Sequence, residues 1–261
     1  MLYKHTWIKV IVLLMAALSL DFAVDAGPGK RSFAKARPRV VYITESKGFK
    51  HAVLPESATI MKDLGAKQGF DVTVTDAAET FITPENLKNT DVIIFYTTGE
   101  LPLSDEQKSA LLNFVKSGKA FIGIHSATDT FYKWPEYGEM INGYFDGHPW
   151  TQDTEVTIKV DDRTHVTTRH LPASLTFKEE IYQFKQFAPE RVKVLVSLDT
   201  SKTDMTRPGI KASSFPLVWY KPYGKGRVYY TALGHRPDIW ASDWYQTLLS
   251  NAIKWAAGEL K

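Results

Sequence analysis

Seven histidines and no cysteine define the side-chain chemistry open to this chain of 261 residues. Three of the histidines follow strand-like runs and a fourth lies in a loop. His51 closes the stretch ESKGFKH after a first β-branched run, His125 ends the apolar run AFIGIH, and His235 follows RVYYTAL in LGHRPD. His148 lies in GYFDGHPW, a loop rich in Gly and aromatics. In open parallel sheets ligands bind beyond the carboxyl ends of the strands, where loops converge, so these four are the candidate catalytic groups. Imidazole has an unperturbed pKa near ~6.5 and serves as general acid or base near neutrality. In its neutral form it also binds zinc or nickel. The compact i, i+4 spacing of a helical zinc motif is absent, so a divalent metal, zinc first, would have to draw His51, His125, His148 and His235 from separate loops. His165 and His170, in DDRTHVTTRHLP, stand away from the strand ends and are read as surface or structural groups.

The stretch FIGIHSATDTFYKWPEY places a polar pair, His125-Ser126, at the end of a buried run and then a crowd of aromatics. Ser126 lacks the Gly-x-Ser-x-Gly pattern of a nucleophile elbow, because Thr128 stands two places after it, and its expected role is hydrogen bonding or capping on the substrate side. Asp129, Asp146 and Asp238 are the acidic residues nearest the histidines; Asp129 is assigned to the substrate side, and Asp238, beside Pro237, to capping. Flat rings beside polar groups suit the apolar faces of sugars. Trp134 and Trp150, next to prolines, and Trp240, after His235, are expected to line a cleft together with Phe49, two residues before His51. Tyr144 and Phe145 are expected in the core.

Those residues need a frame. RVVYIT, DVTVTD, DVIIFYT and AFIGIH read as strands, PESATIMKDLGAKQGF and SDEQKSALLNFVKSGK as helices, the second with Ser104 as N-cap and Gly118 near its end. Continuously apolar strands alternating with helices predict a parallel sheet covered on both faces. TEVTIKV and RVKVLVSL predict further strands, FPLVWYKPYGKGRVYYTAL a hairpin turning at residues 223–226, and DWYQTLLSNAIKWAAGEL a closing amphipathic helix. The predicted fold is one α/β domain, a doubly wound, mainly parallel sheet extended by antiparallel strands.

The motifs GFKH, GIHSATDTF, GYFDGHPW, EEIYQF and PLVWYKPYGKGRVYYTALGH resemble the ThuA-like family, named for trehalose utilisation, over nearly the whole of residues 39–261. The resemblance implies a class I glutamine amidotransferase-like, flavodoxin-like fold. Amidotransferases carry a nucleophilic Cys at the strand-to-helix elbow; here His125-Ser126 stands there, and with no cysteine that activity is excluded. The family's acidic position before a hydrophobic residue and Tyr matches Glu180, which joins the histidines as the catalytic carboxylate. What the resemblance implies for function is sugar catabolism alongside oxidoreductases that make keto-sugars. The expected activity is therefore acid–base chemistry, as hydrolysis, elimination or isomerisation, on a sugar or 3-keto-glycoside. Two alternatives stand beside it, a non-catalytic carbohydrate-binding protein that keeps the aromatic cleft and needs no matched acid and base, and a metal-dependent hydrolase that uses the same histidines. An ordinary glycosidase needs two carboxylates across the scissile bond, and one candidate is present.

The chain opens with Lys4 and Lys9, the nine-residue apolar run Val10–Leu18 and small residues at Val24-Asp25-Ala26, a secretory-signal pattern with cleavage after Ala26. The run falls short of the ~20 residues of a membrane span, so no stable membrane anchor is expected after cleavage. Residues 27–38 are expected to form a flexible arm, and the protein to be periplasmic or secreted. Absence of cysteine removes a disulfide framework, a thiol nucleophile and a lipid-modified cysteine. Loss of the leader would leave the formal net charge at +3, with no basic stripe, which argues against nucleic acid as a partner and leaves a small-molecule carbohydrate.

Overall fold

A computed structural model describes residues 36–261; the predicted leader and most of the predicted arm lie outside the described residues. The last residues of that arm are anchored, because Arg37 donates from Nη2 to the carbonyls of Gly65 (2.9 Å) and Phe70 (3.0 Å). No described helix is long and apolar enough to cross a membrane.

The first half is strand–helix alternation. β1 (Arg39–Ile43) leads to α1 (Leu54–Gln68) and β2 (Asp71–Thr75); two short helices, α2 (Ala78–Phe81) and α3 (Pro84–Lys88), precede β3 (Val92–Phe95). Then come α4 (Asp105–Lys116) and β4 (Ala120–Ile124). Every residue of β3 and β4 is buried, as strands covered on both faces must be. α4 starts as its sequence demands: Ser104 Oγ accepts from Gln107 N while Gln107 Oε1 accepts from Ser104 N, a reciprocal capping box.

The second half supplies α5 (Pro135–Ile141), β5 (Tyr144–Phe145), β6 (Glu155–Val160), β7 (Ser174–Lys178), β8 (Phe184–Lys185), β9 (Lys193–Leu198), β10 (Pro216–Tyr223), β11 (Gly226–Thr231), α6 (Pro237–Ala241) and α7 (Asp243–Ala256). One nine-stranded sheet runs β2-β1-β3-β4-β11-β10-β9-β6-β7, and β5 pairs with β8 apart from it. Pairing is parallel from β2 through β11 and antiparallel from β11 onward. The parallel half and its antiparallel extension agree with the sequence reading, as does the hairpin, where Tyr223 pairs with Gly226. β7 escaped that reading because SLTFK is a half-exposed edge strand with little apolar contrast. α2 and α3 are each under two turns, too short for helical periodicity to declare itself.

Five strands place their carboxyl ends on the same side of this sheet, because β2, β1, β3, β4 and β11 are parallel neighbours. The loops after β1, β4 and β11 carry His51, His125 and His235.

Candidate functional site

The centre of the site is the end of β4. His125 is the first residue past the strand and holds φ at 46°, in the left-handed region that a non-glycine residue seldom occupies. Its carbonyl accepts from Tyr230 Oη (2.6 Å), and the next turn is held by Tyr137 Oη on the Ala127 carbonyl (2.7 Å). The elbow is therefore centred on His125, flanked two places away by Gly123 and Ala127. A Cβ at Gly123 would lie 2.9 Å from Ile141 and from Tyr230 and 3.1 Å from Ala127, so the tight approach demands glycine. The Gly-x-nucleophile-x-small pattern is thus present with histidine as its middle residue. Ser126 is displaced by one position: it is fully buried, its Oγ has no hydrogen-bond partner, and it does not line the cleft. Assignment of Ser126 to the substrate side is corrected accordingly.

His125 Nδ1 lies 2.7 Å from the Ala232 carbonyl, which can only accept, so Nδ1 carries the proton and Nε2 of the neutral ring is a bare lone pair. Around that lone pair stand Tyr182 Oη (2.9 Å), His235 Nδ1 (3.2 Å) and Glu180 Oε2 (3.2 Å). His235 Nδ1 is also 3.0 Å from Glu180 Oε2. His51 completes the group. Its ring centroid lies 4.8 Å from that of His125 and 5.1 Å from that of His235, and those two are 5.2 Å apart; all three pairs of rings meet at 80–81°. His51 Nδ1 is buried without a partner. His148 approaches from the other side, its Nδ1 3.3 Å from Glu180 Oε1.

Each approach is enforced by backbone. Thr98 Oγ1 accepts from Gly48 N and donates to the Phe49 carbonyl, tying the His51 loop to the end of β3. The His148 loop is zipped to residues 181–183 by Ile181 N to Trp150 O, Gln183 N to Gly147 O and Asp146 N to Gln183 O, which brings His148 to Glu180. Gly234 holds the His235 loop: φ is 121°, and its carbonyl accepts from Tyr96 Oη and Trp240 Nε1. Glu179, fully buried, accepts the backbone N–H groups of both Glu180 (2.9 Å) and His235 (3.2 Å) on one oxygen, while its other oxygen has no partner.

The electrostatics follow from burial and pairing. Burial pushes His51 down to about 2, with the neighbouring imidazoles adding to it, so His51 is neutral. Burial also lowers His125, against the pull of Glu180. For His235 burial acts downward, but the bond to Glu180 outweighs it and the imidazole is raised. Glu180 is held well below the usual carboxylate range, its burial overcome by the imidazoles of His125 and His235 beside it. Glu179 goes the opposite way: burial lifts it to about 7 despite the backbone donors.

Above this cluster lies a cleft of about 430 Å³, the size of a small-ligand site. His51, His148, Glu180 and His235 line it, with Phe49 and Asp129 on the wall; Asp129 accepts from Tyr132 Oη (2.6 Å), and burial raises its pKa. Three tryptophans assigned to the cleft are not in it. Trp134 is buried against Phe131 and Tyr137, Trp150 is fully buried against Phe215 with its indole N–H on the Asp204 carbonyl, and Trp240 is fully buried beneath the site against Tyr42 and Tyr96. Proline neighbours mark a turn in the chain and not exposure, since residues distant in sequence cover these rings. Phe145 is the reverse case: expected in the core, it lines the cleft and faces His148. Tyr182 and Glu179 escaped sequence reasoning, although Tyr182 stands two residues from Glu180 in the same extended segment, the spacing that puts side chains on one face. Thr151 and Gln152 also line the cleft without any sequence signal. Asp146 and Asp238 are engaged by Lys211 and Arg236, and His170 caps the Trp244 carbonyl at the surface. His165 is packed against Tyr220 and Trp255.

Chemically, His51, His125, Glu180 and His235 each offer one ligand atom within 4.8 Å of the others, so the group can hold a metal ion; it can equally pass a proton along its contacts.

The comparisons accord with the fold. No curated protein matches the sequence. A ThuA-like protein from Bacteroides uniformis shares the fold with a TM-score of 0.70 at 24% identity, over 89% of this chain and 96% of that one. A second, from Parabacteroides merdae, gives a TM-score of 0.67 at 18% identity over 86% and 92% of the two chains. A β-galactosidase from Bacillus circulans sp. alkalophilus shares the fold over 86% of this chain but 31% of its own, with a TM-score of 0.56 and 13% identity. The family profile of ThuA, described as trehalose utilisation, matches residues 39–256, and on that match the chain belongs to the ThuA family, with its α/β, glutamine amidotransferase-like fold.

Proposed function

We propose that this protein is an exported enzyme that carries out acid–base chemistry on a sugar or 3-keto-glycoside. Family membership implies a carbohydrate-related role. The observation that carries the finer reading is the pairing of His148 with Glu180: a half-exposed imidazole at the cleft wall, its Nδ1 3.3 Å from a carboxylate oxygen, beside a buried polar floor. A carboxylate that engages one ring nitrogen orients the other toward proton transfer, as in other acid–base dyads.

A ketone acidifies the C–H bonds beside it. In this reading His148 takes the proton from the carbon between the ketone and the anomeric centre. The electron pair left behind forms a carbon–carbon double bond as the bond from the anomeric carbon to the aglycone oxygen breaks, and that oxygen takes the proton from the imidazolium. Addition of water across the double bond completes a net hydrolysis. The floor faces the ketone oxygen, where negative charge develops, and a donor there stabilises it. Phe49 and Phe145 offer the apolar ring faces that a sugar stacks against.

The test is turnover of a 3-keto-glucoside followed by release of its aglycone. His148→Ala and Glu180→Gln are expected to lower kcat at least about 100-fold, within the range that general acid–base groups contribute, with the melting temperature of the half-exposed His148→Ala variant unchanged. Turnover that survives in both variants would remove the proton-transfer assignment. Export is tested separately by N-terminal sequencing of the mature protein, expected to begin at Gly27.

A further inference from the structure

We infer that His51, His125, His235 and Glu180 are the ligands of one divalent cation, zinc in the first place, and that this cation is the electrophile of the cleft floor. The role given to it rests on the reading of the cleft as a reaction centre; the binding itself does not.

Three donor atoms make the case. His125 Nε2, His235 Nδ1 and Glu180 Oε2 form a triangle with edges of 3.2, 3.0 and 3.2 Å. Zinc bonds of about 2.0–2.1 Å in a tetrahedron place their ligand atoms roughly 3.3–3.4 Å apart. The triangle is therefore close to one face of a zinc tetrahedron. His51 stands over it, its ligand atom within 4.8 Å of the other three.

The hydrogen-bond pattern points the same way. The His125 Nδ1 proton is committed to the Ala232 carbonyl, the outer partner that metal-bound histidines characteristically have. That leaves a lone pair on His125 Nε2 facing a lone pair on Glu180 Oε2 across 3.2 Å, two acceptors in contact in a buried site. A cation between them turns this repulsion into two bonds. Tyr182 Oη, 2.9 Å from Nε2, is the donor it would displace. His51 is 4% exposed, and its Nδ1 has no partner, a cost that buried polar atoms seldom carry without a ligand. Two imidazoles and a carboxylate with a third imidazole, and no thiolate, suit a borderline divalent ion of the first transition row.

The four ligands come from the loops after β1, β4 and β11 and the segment after β7, each fixed by the contacts given above, so the set is preorganised. His148 lies outside it on the free oxygen of Glu180. A cation would thus sit on one side of the carboxylate and the proton carrier on the other, which separates the two functions in the proposed reaction.

The experiment uses the mature protein stripped with a chelator, titrated with zinc chloride by calorimetry and with cobalt(II) by visible absorption. One zinc per chain is expected, together with the intense ligand-field bands of a four- or five-coordinate cobalt site. His51→Ala and His235→Ala should weaken zinc by at least about 100-fold, more than the 10–100-fold typical of losing an outer partner. Glu180→Gln, which keeps the shape of the side chain, gives the same test where an alanine variant fails to fold. His148→Ala and the surface variant His170→Ala should retain one zinc. Absence of stoichiometric zinc and of cobalt bands in the wild-type protein would overturn the inference, and so would binding that survives both His51→Ala and Glu180→Gln. Either negative result leaves the keto-glycoside assay standing on its own, because turnover in metal-free buffer reads the proton transfer without the ion.

Discussion

Glu179 is a buried acid with two backbone donors on one oxygen and none on the other, and its replacement separates structure from charge. In Glu179→Ala the N–H groups of Glu180 and His235 lose their acceptor inside the protein. Each such orphan costs about 1–3 kcal/mol, so the variant should lose about 2–6 kcal/mol, a large share of the 5–15 kcal/mol by which domains are held folded. Glu179→Gln keeps an accepting oxygen and removes the ionisable proton. Burial raises the Glu179 carboxyl to about 7 from its ordinary 4.5, so the native state holds a proton that the unfolded chain releases between those values. The sign follows: stability is fully present below about pH 4.5 and is lost as pH rises through about 7. At 1.36 kcal/mol per pKa unit, the loss between pH 5 and pH 8 comes to about 2–3 kcal/mol. The assay is urea denaturation of chelator-treated protein at both pH values. Wild type should weaken by that amount from this group, whereas Glu179→Gln should lack the loss and overtake wild type at pH 8. An alanine variant within 1 kcal/mol of wild type, or a glutamine variant as weak as alanine at both pH values, would refute the clamp.

Three further outcomes are expected. Gly234→Ala places a Cβ 2.7 Å from Tyr245 Oη at φ 121°, and should cost about 2–4 kcal/mol in strain and contact, read as a fall of roughly 5–15 °C in Tm with loss of turnover as His235 shifts. Phe49 is 64% exposed at the cleft wall, so Phe49→Ala should change stability by no more than about 0.5 kcal/mol while raising KM for the sugar several-fold at constant kcat. Asp91 holds Arg39 (3.1 Å) and Lys119 (2.6 Å); its burial is outweighed by their hydrogen bonds, and its pKa is lowered. The stabilisation it gives is therefore present above about pH 4 and fades as pH falls, and Asp91→Asn should remove it at a cost of about 1 kcal/mol or less that high salt abolishes, as checked by denaturation at pH 7 and pH 3.

Much of the frame was legible because its signals are local. Alternation and continuous apolar runs depend on neighbours two to four residues away, and the caps at Ser104 and the Gly224-Lys225 turn depend on fewer. The strand ends were legible too, and with them the positions of His51, His125 and His235, since a parallel sheet has only one end where loops and helix starts converge. Glu180 came from the family motif and lies where the histidines meet. The distances between these groups were not legible. His125 and His235 are 110 residues apart in sequence and 3.2 Å apart in space because β4 and β11 are neighbours in the sheet, an adjacency no local pattern encodes.

The same divide explains the misplaced residues. Sequence by itself determined which residue types are available here: imidazoles and carboxylates without a thiol, an elbow without the amidotransferase nucleophile, and aromatics in abundance. Tertiary structure alone decided that the elbow turns on His125 and not Ser126, because a left-handed φ belongs to one residue and is set by how Tyr230 and Tyr137 hold the turn. It also decided that Trp134, Trp150 and Trp240 are buried while Phe49 and Phe145 face the cleft. Burial is a property of what covers a side chain, and for these residues the cover comes from segments far along the chain, such as Phe215 over Trp150 and Tyr96 over Trp240.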